Sequence, residues 1–172
     1  MLDDKMAVIF HSYVMRVAYL TKRVKPQLSV PISYLSTQVT KPNMEDLHKL
    51  NRVMCYIKDN VGDGITLSTV IHNKCVKVVT FIDASYGCHD DGKSHTGVYV
   101  TLGTGPVFVR SVKQKIVTKS STEAELVALS DEAGVMFHIE EYLVEQGYKC
   151  EMVVGQDKKA RLICLLKRRE IR

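Results

Sequence analysis

Three carboxylates are spaced and placed to do chemistry. Asp83 ends the apolar, β-branched run Val76-Lys77-Val78-Val79-Thr80-Phe81-Ile82 and is followed at once by small, turn-prone residues. That pattern predicts a buried strand delivering an acid to the edge of a sheet. Glu125 lies in Ser120-Ser121-Thr122-Glu123-Ala124-Glu125-Leu126, and Asp157 in Gly155-Gln156-Asp157. Carboxylates are hard oxygen donors suited to magnesium, which takes few protein ligands and keeps its waters. Two such ions about 3.5–4 Å apart would activate water and stabilise the leaving oxygen of a phosphodiester. Each acid also has an ordinary reading. Asp83 can be a turn aspartate and Glu125 a snorkelling surface acid. Asp157 can be a helix N-cap, the stronger reading on local sequence alone.

The helix that must carry Glu125 separates it from its neighbour. At 100° per residue, Glu125 falls within about 40° of Leu129, Met136, Ile139 and Leu143, an apolar stripe that also takes in Glu132. Glu123 falls instead with Ser130, Gly134, Glu141 and Glu145, the polar face. The reading is therefore a solvated Glu123 and an inward Glu125. A carboxylate on a core-facing stripe costs several kcal/mol unless it is paired or binds a cation.

The remaining elements follow in chain order. Residues 8–23 have the pattern of an amphipathic helix. A second helix is expected over 28–39, starting at Ser29-Val30-Pro31. A third begins at Asn43-Met44-Glu45-Asp46, with Asn43 as N-cap, and ends near Asn60-Val61-Gly62. From there the periodicity becomes that of strands: Ile65–Val70, Val76–Asp83, Thr96–Leu102 and Val107–Val112, with a short strand over Lys115–Lys119. Ser120 caps a long helix that Gly147 terminates. Glu151–Val154 then reads as a strand and Asp157–Lys167 as a helix. The fold class is α/β, a mixed sheet with flanking helices preceded by a helical segment over 1–61, the sheet domain covering 62–172.

Composition bounds the partners. At 172 residues, 45% hydrophobic and 25% charged, the chain is ordinary for a globular protein. Its charged, mixed-sign start is not that of a signal peptide, and no apolar run approaches the roughly 20 residues of a membrane span, so an intracellular location, cytoplasmic or nuclear, and no membrane partner are expected. The cysteines, five in number and without a CxxC, read as free thiols rather than a zinc site. The net charge of +5 is held by the seven basic residues of 157–172 against Asp157 and Glu170, which leaves the rest formally neutral. A basic segment beside acids suits a polyanion, although a solvated helix face has the same look. Lys93, Lys113, Lys115, Lys119, Lys158 and Lys159 are candidate phosphate contacts. Tyr86 and Tyr99 are candidate stacking residues, with packing the commoner role. His89 and His95 flank the loop after Asp83; hydrogen-bonded loop histidines are the commoner reading, metal or proton transfer the rarer. The apolar faces of the N-terminal helices, 8–59, are expected to dock on a partner and, without one, to favour self-association.

An ordered set of motifs carries a resemblance. Asp83-Ala84-Ser85-Tyr86, His89 to Gly97, Ser111-Val112-Lys113-Gln114-Lys115, Ser120 to Leu126, Gln146-Gly147-Tyr148 and Gln156-Asp157 resemble the ribonuclease H region of copia-type LTR retrotransposon polyproteins. Phe10-His11-Ser12, Tyr19-Leu20, Pro42-Asn43 to Leu50 and Arg52 to Lys58 resemble the end of the reverse transcriptase just upstream. The resemblance implies a ribonuclease H-like fold cutting the RNA strand of an RNA–DNA hybrid with Mg2+ or Mn2+, the rest of a Pol polyprotein being a further partner. It implies Asp83, Glu125 and Asp157 as the catalytic and metal-binding acids. The chain departs from the family at Lys25-Pro26-Gln27, where Arg-Pro-Asp is usual, at Lys158 after Asp157, where Asn is usual, and at Phe137, near which a tryptophan is expected. The family continues past the position of Arg172 into a segment with the fourth metal-side residue, so a truncated C-terminus is expected here. The alternative function is an inactive remnant that at most binds nucleic acid. The polymerase site of such polyproteins lies upstream, so this chain is not expected to polymerise.

Overall fold

The computed structural model describes residues 1–155, so the expected helix Asp157–Lys167 lies outside the described residues. Two compact units divide at Ile65 and Thr66. Among the described residues no helix is long and apolar enough to cross a membrane.

The first unit is helical. Helix α1 spans Asp4–Thr21, four residues earlier than the apolar pattern begins, because Asp3 accepts the Met6 amide at 2.7 Å and caps it. A single turn of 3₁₀ helix over Pro26–Leu28 leads into α2, Ser29–Thr37. Helix α3, Met44–Asp59, starts at the expected Asn43, whose side chain and that of Asp46 accept each other's backbone N–H, both at 3.0 Å. The three helices bury Phe10, Val14, Val17, Ile32, Leu35, Leu50 and Val53 against one another. Lys25 is buried, and its ammonium donates to the Asn60 carbonyl at the end of α3.

The second unit holds strands β1 Ser68–Thr69, β2 Ile71–His72, β3 Cys75–Ser85, β4 His95–Thr101, β5 Gly103–Thr104, β6 Pro106–Lys113 and β7 Lys149–Gly155, with helix α4 over Ser121–Glu145. The expected strand Ile65–Val70 is not one strand. Leu67 and Val70 stay exposed, with no layer to bury them among the described residues; there, only β1 forms from this stretch, pairing with β5 in a small separate ladder. β2 turns tightly into β3 through Asn73 and Lys74, both at positive φ (50° and 58°), as a two-residue hairpin requires. The expected short strand Lys115–Lys119 is also absent. There the buried Gln114 and Thr118 bond back to Ser94, through its carbonyl and its hydroxyl, in place of a ladder.

The main sheet is mixed and mostly antiparallel. β4 lies between β3 and β6, antiparallel to both, and among the described residues β6 is the outer strand on that side. After the α4 crossover, β7 returns parallel to the other side of β3. α4 packs on one face only, burying Val76, Val78, Ile82, Ala84, Val98 and Val100 under Ala124, Ala128, Met136 and Leu143. It ends in a Schellman motif: Tyr148 donates to the Leu143 carbonyl, Gly147 to that of Val144, and Gly147 takes φ 86°.

Candidate functional site

Strict alternation along β3 decides where Asp83 points. Ile82 and Ala84 go under α4, and Phe81, Asp83 and Ser85 are exposed on the opposite face. Residues directly across the ladder share that face. Asp83 pairs with Gly97, which pairs with Ser111, so no side chain stands between Asp83 and Ser111. One row to one side are Ser85, His95 and Lys113; one row to the other are Phe81, Tyr99 and Val109, with the Phe81 and Tyr99 rings 6.2 Å apart.

Glu125 sits near the start of α4, where Ser120 accepts the Glu123 amide at 3.1 Å. It is 9% exposed, and Glu132, two turns on, is 1% exposed, so both acids on the predicted apolar bearing are inward. Glu123 instead turns back, accepting the Lys119 amide at 2.6 Å as part of the cap. Glu132 is balanced from β6: Arg110 reaches one carboxylate oxygen at 3.2 Å, while the other oxygen has no hydrogen-bond partner. Burial pushes the Glu132 carboxyl up, and Arg110 opposes it.

Gln114 was not singled out by sequence reasoning. It is 3% exposed, and its amide nitrogen donates both to Thr96 Oγ1 at 3.0 Å and to the Ala124 carbonyl at 2.9 Å. Thr96 pairs with Ala84. One buried amide therefore pins the first turn of α4, and Glu125 with it, to the end of the sheet that carries Asp83. The only local signal was a polar residue closing an otherwise strand-like run.

Asp83 and Glu125 thus reach the same end of the sheet from opposite faces. Both are hard oxygen donors, the chemistry a divalent cation such as Mg2+ requires. Among the described residues, no group of three His, Cys, Asp or Glu side chains comes together to hold a metal. Asp157, Lys158 and Lys159 lie outside the described residues. Of the candidate phosphate contacts, Lys113 and Lys93 share Asp91, at 2.8 and 3.4 Å, and Lys113 foremost holds the Asp91 carboxyl down to about 2. Lys115 and Lys119 are exposed. His89 and His95 are hydrogen-bonded to each other, Nε2 to Nδ1 at 3.0 Å, and His95 Nε2 meets Ser111 Oγ at 2.7 Å. Burial lowers both imidazoles toward the neutral form.

Comparison with known proteins gives relatives. An uncharacterized mitochondrial protein of Arabidopsis thaliana is 30% identical over 122 residues, 70% of this chain and 49% of that protein. The retrovirus-related Pol polyprotein from transposon RE1 of the same plant is 32% identical over 126 residues, 73% of this chain and 8% of the polyprotein. Secreted RxLR effector protein 161 of Plasmopara viticola is 30% identical over 125 residues, 72% of this chain and 86% of that protein. The chain therefore spans about half the length of the first of these and a small part of the second. No family model and no solved structure matches it.

Proposed function

We infer a ribonuclease H-like hydrolase from one premise: the chain belongs to the family of retrovirus-related Pol polyproteins from copia-type transposons. Its proposed reaction is metal-dependent hydrolysis of the RNA strand of an RNA–DNA hybrid inside the cell, with Asp83, Glu125 and Asp157 as the metal-holding acids. The observation that carries this reading is the register of β7. It runs parallel to β3, and its last pair, Gly155 with Phe81, falls two residues short of Asp83. A strand leading toward Asp157 and the strand bearing Asp83 thus run to the same end of the sheet.

Magnesium or manganese, when bound, supplies an activated water and a stabilised leaving oxygen. The protein's own part is to bring acid to that position. β3 presents the Asp83 carboxylate in the open, and Gln114 fixes the turn of α4 that bears Glu125. The exposed Phe81–Tyr99 pair beside Asp83 offers a stacking surface, and Lys115 and Lys119 offer charge for phosphates. The rest of a Pol polyprotein is the proposed macromolecular partner.

The test is cutting of an end-labelled hybrid by the purified chain in Mg2+ or Mn2+. Asp83→Asn should lower the rate by about a hundredfold or more, since even outer partners of metal ligands cost about 10–100-fold. Failure of the wild-type chain to cut in either metal overturns the reading. Hybrid binding that falls steeply with salt, without cutting, establishes the second reading, a nucleic-acid-binding remnant. That second reading is favoured by the opposite-face placement of Asp83 and Glu125.

A further inference from the structure

The loop after β3 carries a feature that hydrolysis at Asp83 does not use. His89 Nε2 and His95 Nδ1 face each other at 3.0 Å, with ring centroids 5.2 Å apart and planes inclined by 39°. Between two neutral imidazoles one proton makes that contact. The other ring nitrogen of His95 is held by Ser111 Oγ at 2.7 Å, so the ring is oriented from a third element, β6. Metal-bound histidines are oriented in this way, the second nitrogen fixed by a hydrogen bond.

We propose that His89 and His95 form a two-imidazole site for a borderline divalent transition metal such as Zn2+, which takes the place of the shared proton as the ring carrying it passes to its other neutral tautomer, and clips the 87–93 loop to β4. Geometry supports it. A Zn–N bond of about 2.0–2.1 Å at a tetrahedral angle sets the two nitrogens about 3.3 Å apart. The observed pair opens by about 0.3 Å to reach that, a small ring movement. Burial holds both rings toward the neutral, ligating form, with Lys113 adding to this at His89 and Asp91 and Asp90 opposing it. Nitrogen donors select zinc, nickel or copper over magnesium, so this site and the proposed carboxylate site take different ions. Water completes the coordination.

The experiment is a Zn2+ titration of the full chain by calorimetry in excess Mg2+, with imidazole nitrogen NMR on the same samples. One Zn2+ equivalent should bind, and the His89 and His95 ring nitrogens should shift while those of His138, exposed on α4, do not. His89→Gln and His95→Gln should each weaken binding at least about tenfold, Ser111→Ala less, and His138→Gln not at all. Wild-type affinity retained in both His89→Gln and His95→Gln overturns the proposal. Should those variants misfold, unshifted His89 and His95 nitrogens in the Zn2+-saturated wild-type chain overturn it by themselves. Neither readout uses hybrid cutting, so an inactive nuclease leaves this test intact.

Discussion

The two faces of the main sheet are made by the same strands and have opposite characters. On β3, Val76, Val78, Ile82 and Ala84 go under α4 with almost no exposure, while Phe81, Asp83 and Ser85 on the alternate positions are open. The covered face is largely packed hydrocarbon, with the buried Glu132 met by the half-exposed Arg110 and the buried Gln114 bonded to Thr96. The open face carries Asp83, two serines, Lys113, an aromatic pair and His95, to which His89 of the loop is bonded. Stability is concentrated on one side of a single layer and chemistry on the other. Substitutions one residue apart should therefore have unrelated effects.

The largest expected effect is on the covered side. Ile82, 1% exposed, loses its packing in Ile82→Ala, which should cost about 2–5 kcal/mol by chemical denaturation. Arg110→Ala strands Glu132 without its cation. Arg110 is half-exposed and partly screened, so a loss of about 2 kcal/mol is expected rather than the full value for a buried pair. The pH dependence has a definite sign. Burial raises the folded Glu132 carboxyl above its ordinary 4.5, so the folded state holds more protons than the unfolded chain. Stability should then fall as pH rises from 4.5 through the raised value, and Glu132→Gln should remove that slope. Ser120→Ala removes the α4 cap and should cost about 1 kcal/mol, read as a drop of a few degrees in Tm. Smallest is Phe81→Ala on the open face. It is 53% exposed, and the change should cost no more than about 1 kcal/mol while weakening hybrid binding. A Phe81→Ala penalty equal to that of Ile82→Ala would break the contrast between the faces.

Part of this contrast was legible before any coordinates. Helical bearing separated Glu125 and Glu132 from Glu123, because it is a local geometric fact. Caps at Asn43 and Ser120 and the stop at Gly147 were legible for the same reason. Which face of β3 the helix would cover, and so that Asp83 stays open, was not legible in an apolar run. Illegible features depend on partners far along the chain. Ile65–Val70 and Lys115–Lys119 have strand-like residues, but a strand needs a neighbour, and a sequence does not say where none will lie. Gln114 matters through Thr96 and Ala124, 18 and 10 residues away. His89 and His95 stood out in the sequence, yet their facing nitrogens arise from a turn that only the fold closes.

The outer position of β6 has a consequence for the behaviour of the chain in bulk. Among the described residues it pairs with β4 alone, so its far edge is a row of unused donors and acceptors, a template on which a second chain could polymerise. Three of its residues work against that. Pro106 removes a donor where the strand begins, and Arg110 and Lys113 place cations along its length. The bulge at Val100 and Thr101 bends the adjoining ladder away from flatness. Residues that serve an ion pair and a charged loop within the molecule therefore also act as gatekeepers against edge-to-edge aggregation.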